Sequence, residues 1–249
     1  MRTIGICGHD FCGSTLLSRL FAAIPSVASG GELRWLVNDP GNRGRCSVCG
    51  PDCDVFTEDL ISGLSPKTLY EQVCEAFGRD TLVSSDKGCK HYQRFVRKGE
   101  MTGIILFRSL LGVASSDRKH QMVWPFVPRA SVNKSIEGWI NVYRKFLEWA
   151  PEFCEDYIFL SYEGLVADHV GVMTRLCERI GVQLDGAFPS GPLVAEYHNV
   201  LGNPSAHDSR KVCADESWKK RLTAEEQLCI RKHTTAQEIY KKMRKQAIA

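Results

Sequence analysis

The sequence predicts an α/β fold: a single domain with a central parallel sheet flanked by helices. Short apolar runs of strand length alternate with longer segments of helical period, the pattern of strands joined by crossover helices. The first such run passes through a glycine-containing turn straight into a helical segment. A chain of 249 residues with 43% hydrophobic and 24% charged residues can bury a core without covalent staples, and its composition excludes disordered and fibrous classes. One domain over residues 1–249 is therefore expected, with a Cys-rich loop at about residues 41–56 and a helical C-terminal portion.

Thr3–Cys7 reads as the first buried strand. Ser14–Ala23 reads as a helix, because Leu16, Leu17, Leu20 and Phe21 share a face and Pro25 follows its end. Thr81–Ser84 is a short strand and Gly103–Phe107 the clearest buried one. Tyr157–Leu160 is another strand, with a helix over Val166–Ile180 ending at Gly181. Ser131–Trp149 and Ser217–Met243 read as helices. Trp139, Tyr143, Phe146 and Trp149 recur at helical spacing and are expected in the core or a pocket wall. The Pro- and Gly-rich stretches 38–53 and 185–204 read as irregular loops rather than domain boundaries.

Between the first strand and helix lies Gly8-His9-Asp10-Phe11-Cys12-Gly13-Ser14-Thr15-Leu16. Glycines allow a tight turn that aims amides at an anion, and the helix start adds its unpaired N–H groups. Gly8-x4-Gly13-Ser14-Thr15 has the spacing of a phosphate-binding P-loop, with Ser14 where the lysine belongs. That loss argues against ordinary ATP or GTP hydrolysis, not against a nucleotide with another terminal group. The alternative on the loop alone is a strand–helix turn with a Ser N-cap.

Downstream stretches follow in a recognisable order. They are Ile24-Pro25-Ser26-Val27 with Gly30-Gly31-Glu32-Leu33; Val83-Ser84-Ser85-Asp86-Lys87; and Ile105-Leu106-Phe107-Arg108 with Ser116. Ser161-Tyr162-Glu163-Gly164-Leu165-Val166 comes next, then His198, Gly202-Asn203-Pro204 and Asp215-Glu216-Ser217-Trp218. With the loop, this series resembles the PAPS-dependent sulfotransferase family, in particular bacterial-type members with a Cys-rich loop. The resemblance spans nearly the whole chain. It implies a P-loop nucleotide-binding type of sheet and an enzyme that uses 3′-phosphoadenosine 5′-phosphosulfate (PAPS) as co-substrate. The sulfuryl group would pass to a hydroxyl or amine of an acceptor, with no metal required for catalysis. The rival readings are a P-loop small-molecule or nucleotide kinase and a non-catalytic nucleotide-binding relative.

The resemblance implies the site residues. The donor's 5′ end would lie on the loop from Phe11 and Cys12 through Gly13, Ser14, Thr15 and Leu16. Arg108 and Ser116 would take the 3′-phosphate, with Gly202, Asn203, Arg210 and Lys211 supplied by the C-terminal loop. Glu32 is the candidate base and His9 its rival. Phe11 stands where the family carries a cation, so Lys87 or His9 must neutralise the leaving oxygen. The second arginine of the family's R-D-P-R stretch is also missing, and Arg210 and Lys211 are the available substitutes.

Eleven cysteines with no signal peptide point to a cytoplasmic protein with reduced thiols. Cys46, Cys49 and Cys53 have knuckle-like spacing. They read either as a reduced or locally disulfide-linked loop, or as a zinc site completed by a fourth ligand from elsewhere, such as Cys89 or His91. Cys12 is a candidate reactive thiol because a helix N-terminus lowers thiol pKa. A net charge of +3 does not suggest a general nucleic-acid binder, though it leaves room for a local basic pocket, and no stretch approaches the roughly 18 apolar residues of a membrane span. A small-molecule, carbohydrate or lipid acceptor is the expected partner.

Overall fold

The computed structural model describes residues 1–123, 131–190, 197–203 and 212–248. The strands are β1 (Arg2–Cys7), β2 (Val27–Gly31), β3 (Thr81–Lys87), β4 (Thr102–Phe107) and β5 (Asp156–Ser161). They form one five-stranded sheet in the order β2-β3-β1-β4-β5, and every neighbouring pair is parallel. The strands are short apolar runs because both faces are covered. Ile4 and Ile6 of β1, with Ile104 and Leu106 of β4, enter one core. Cys7, Ile105 and Phe107 point the other way into a second core.

The first core packs α1 (Ser14–Ala22), α8 (Tyr162–Ala167) and α9 (His169–Ile180) on the sheet. The second packs α4 (Leu69–Ala76), α5 (Cys89–Phe95), α6 (Leu110–Val123) and α7 (Val132–Phe153) on the opposite face. The aromatic stripe of α7 is core, as expected: Trp139, Tyr143 and Phe146 are buried, and Trp149 packs against them. Two short helices, α2 (Trp35–Asn38) and α3 (Glu58–Gly63), flank the Cys-rich segment.

Two helices are shorter than the periodicity suggested. The helix over 166–180 is broken at Asp168, whose carboxylate accepts from the Gly171 amide at 2.9 Å and caps α9 afresh. The tail is not one helix over 217–243 but α10 (Trp218–Arg221), α11 (Ala224–Lys232) and α12 (Thr234–Gln246). A capping box between Thr223 and Glu226 restarts α11, and the His233 ring caps α12. No helix among the described residues is long and apolar enough to cross a membrane.

Candidate active site

In a parallel sheet ligands bind beyond the carboxyl ends of the strands, where successive crossovers diverge. The loops after β1, β2, β3 and β4 meet there. Gly13 adopts φ 101°, and a Cβ at this position would lie 2.5 Å from the Tyr162 ring. Only glycine therefore turns the chain into α1 here. Gly13 offers no side-chain cap to the first turn of α1, the kind of helix start whose amides can receive an anion. Thr15 Oγ1 accepts from the Asn203 amide at 3.1 Å. The loop segment carrying Gly202 and Asn203 thus lies against the start of α1.

Glu32 follows β2 and is buried. Its Oε1 lies 2.7 Å from Lys87 Nζ, and its Oε2 pairs with Arg34 and accepts from Trp35 Nε1 at 3.3 Å. Gly31, at φ 79°, makes this placement possible. A side chain there would run into Asn199 and the Val200 carbonyl, to which Glu32 donates its amide at 2.9 Å. Arg34 is fixed in turn by Asp86, which accepts from the Arg34 amide at 2.8 Å and from Tyr70 Oη at 2.6 Å. Burial pushes the Asp86 carboxyl up, against the bonds from Ser84, Tyr70 and Arg34.

Lys87 ends β3 at φ 64°, in the left-handed region that a long side chain occupies only under constraint. Its Nζ also lies 3.2 Å from Asp10 Oδ1 of the loop between β1 and α1. Burial alone would lower its pKa, but the Glu32 and Asp10 carboxylates outweigh burial and raise it. A cation therefore does reach the loop that lacks its own lysine, and it comes from β3. His9 turns elsewhere: its amide donates to Tyr143 Oη at 3.4 Å and its Nδ1 sits 2.8 Å from the Asp10 carbonyl.

Arg108 is buried and donates to the Phe11 carbonyl at 3.2 Å. Its guanidinium lies 4.4 Å from the centre of the Tyr162 ring and pairs with Asp215 Oδ2 at 3.0 Å. Trp139 Nε1 holds the Arg108 carbonyl at 3.1 Å. A cavity of about 300 Å³ opens here, lined by Arg108, Gly112, Tyr162, Asp215 and Trp218 among others. Asp215 is held down to about 2: burial opposes this, but bonds from Ser217 and Arg108 prevail. Ser116 Oγ donates to the Gly112 carbonyl one turn back at 3.0 Å, so its hydroxyl is engaged within α6. Arg210 and Lys211 lie outside the described residues.

Two expectations about cysteines are corrected. Cys12 is fully buried, and burial pushes its thiol up to about 11. Desolvation outweighs the helix terminus, and the thiol is not an activated nucleophile. Neither Cys89 nor His91 joins the Cys-rich loop. The group that gathers with Cys46, Cys49 and Cys53 is His198. Sequence reading also missed Arg34 and the pairing of Asp215 with Arg108. Arg34 sits two residues from Glu32, and a buried carboxylate flanked by a basic residue is the only local signal for it.

No family model and no curated protein matches this chain. Solved structures do. A sulfotransferase domain from the curacin biosynthetic pathway superposes with a TM-score of 0.63 at 19% identity, covering 97% of both chains. The sulfotransferase domain of the Synechococcus PCC 7002 olefin synthase gives 0.59 at 19% identity, over 96% of this chain and 94% of that one. Mouse sulfotransferase SULT7A1 complexed with PAP gives 0.50 at 11% identity, over 98% and 89%. The chain has the sulfotransferase fold.

Proposed function

We propose that this protein transfers a sulfuryl group from PAPS to a hydroxyl or amine of an acceptor. The observation that carries the reading is the contact of Lys87 with Glu32 beside the phosphate loop. It sets a cation and a carboxylate side by side where the two halves of the chemistry are needed. The PAP-bound state of one structural neighbour supports the choice of donor.

In this reading the 5′-phosphosulfate lies on the amides of Gly13, Ser14, Thr15 and Leu16. The acceptor oxygen or nitrogen attacks sulfur in line with the bridging oxygen. The new S–O or S–N bond forms as the bond from sulfur to the phosphate oxygen breaks, and the leaving electrons go to the phosphate. Lys87 stabilises that developing charge, in place of the cation missing at Phe11. Glu32 takes the acceptor's proton once Lys87 Nζ shifts from Oε1 toward the bridging oxygen. Arg34 and Trp35 keep the carboxylate aimed during that shift. The products are 3′-phosphoadenosine 5′-phosphate (PAP) and the sulfated acceptor.

The 3′-phosphate falls to Arg108. Its current anion is the Asp215 carboxylate, which a phosphate with two bonds to offer would displace. A sulfuryl group carries a single negative charge, so loop amides and Lys87 suffice and no divalent cation is called for. A small-molecule, carbohydrate or lipid acceptor in the cytoplasm completes the proposal.

Thermal-shift titration tests the reading. PAP should raise the melting temperature more than ADP or ATP at equal concentration, with or without EDTA. A larger shift from ATP with Mg²⁺ would place the protein among the kinases instead.

A further inference from the structure

The Cys-rich segment folds back on the chain 152 residues later, where Ser47 Oγ donates to the Asn199 carbonyl at 2.7 Å. Cys46 and Cys53 are buried, and Cys49 is exposed at the rim. All three thiols are free. Their sulfurs and a ring nitrogen of His198 lie within 4.8 Å of one another. Cys49 Sγ is 3.4 Å and Cys53 Sγ 3.3 Å from His198 Nδ1. Zinc bonds of about 2.3 Å to sulfur and about 2.0 Å to nitrogen, at tetrahedral angles, place sulfur and nitrogen about 3.5 Å apart. Cys49, Cys53 and His198 already stand at that spacing, and Cys46 Sγ lies within 4.8 Å of all three.

The surroundings are those of a metal knuckle. The Cys49 amide donates to Cys46 Sγ at 3.4 Å and the Phe56 amide to Cys53 Sγ at 3.3 Å. Such bonds offset the negative charge of clustered thiolates. Gly50 closes the turn at φ 71°, with its amide on the Cys46 carbonyl at 3.1 Å. The far nitrogen of the imidazole, His198 Nε2, lies 3.6 Å from Asp54 Oδ1. A carboxylate on that side favours the tautomer that leaves Nδ1 to bind a metal. Phe56 and Phe77 meet the ring edge-on, with centroids 6.5 and 5.8 Å away, and wall the site from the core side.

We propose that Cys46, Cys49, Cys53 and His198 form a structural Zn²⁺ site that clips the Cys-rich loop to the segment carrying Val200. Three thiolates and one imidazole in a closed tetrahedral set favour zinc and leave no open position for catalysis. The clip bears on the candidate active site through the backbone. Cys46 pairs with Val200, and Val200 pairs with Gly31. Val200 also donates its amide to the Gly30 carbonyl at 2.8 Å and accepts from the Glu32 amide at 2.9 Å. Three residues further on, the same segment reaches Thr15 through Asn203. The metal thus holds the strand end that presents Glu32 and the loop that borders the phosphate site. Zinc binding stands on its own residues, whether or not sulfuryl transfer is the activity.

The test is metal content of the full chain, expressed in zinc-supplemented medium and dialysed against metal-free buffer. Native protein and Cys229→Ser, an exposed cysteine outside the cluster, should carry at least half an equivalent of zinc per chain. Cys49→Ser and His198→Gln should lose it, and Asp54→Asn should weaken affinity by about 10–100-fold. Should the ligand variants fail to fold, cobalt exchange into native protein reads the same question. Intense visible bands with thiolate-to-cobalt charge transfer are expected from a tetrahedral thiolate site. Less than half an equivalent in native protein, zinc retained in both ligand variants, a disulfide among the three cysteines, or a pale octahedral cobalt spectrum would each overturn the site.

Discussion

Lys87 Nζ meets Glu32 Oε1 at 2.7 Å, at the point where the first two crossovers of the sheet deliver β2 and β3 side by side. One residue ends β3 in a left-handed conformation; the other follows the glycines that end β2. Neither position is meaningful without the parallel pairing of those strands. The pairing brings a lysine to the loop between β1 and α1, where Ser14 stands at the position that P-loop spacing gives to a lysine.

That cation should be needed for chemistry and for alkaline stability. Lys87→Met should lower turnover by about 10²–10³, the usual loss when one donor to a developing charge is removed. The pKa of Lys87 is raised in the fold, so its stabilisation is complete below the unfolded value of about 10.4 and fades as pH rises through the folded one. Melting curves should show the gap between native protein and Lys87→Met closing only above about pH 10. A gap that does not change with pH would show that the ion pair contributes nothing.

Glu32→Gln keeps the shape and removes the basic oxygen. Turnover should fall by about 10²–10⁴ while PAP affinity stays near the native value. His9→Gln should cost far less, because its ring leans on the Asp10 carbonyl. A collapse in His9→Gln with Glu32→Gln intact would exchange their roles.

Asp215 occupies the guanidinium that the 3′-phosphate is proposed to take. Its carboxyl, held at about 2, stays ionised at any working pH and competes with an entering anion. Asp215→Asn should therefore tighten PAP binding about threefold or more, which is about 0.6 kcal/mol or more. Weaker binding would mean that the carboxylate helps to organise the site. The stability that Asp215 lends is present above its unfolded pKa of about 3.9 and lost only as pH falls toward its folded value.

Cys12 should resist alkylation. Its burial and raised pKa leave almost no thiolate near neutral pH, so iodoacetamide should label the exposed Cys213 and Cys229 first. Peptide mass spectrometry at intervals measures the order; early labelling of Cys12 would contradict its packing.

Much of this was legible in the residues. The apolar runs of β1, β4 and β5 needed only the rule that strands covered on both faces are continuously hydrophobic. Gly13 and the helix start marked the sharp turn from β1 into α1 by local chemistry alone. What the sequence hid was long-range. Arg108 could be named, but its pairing with Asp215 depends on a chain reversal more than a hundred residues away. His198 lies 145 residues from Cys53, while Cys89 and His91, closer in sequence, are the nearer candidates to complete the cysteine cluster. The breaks at Asp168 and Thr223 fell inside continuous helical periodicity, where a local cap overrode the pattern.

The most direct measurement is calorimetric titration of native protein and Arg108→Met with PAP and with AMP, which differ in the 3′-phosphate. Native protein should bind PAP at least about tenfold more tightly than AMP, a difference of about 1.4 kcal/mol, and Arg108→Met should erase that preference. Equal affinities of native protein for the two nucleotides would contradict the assignment of the donor.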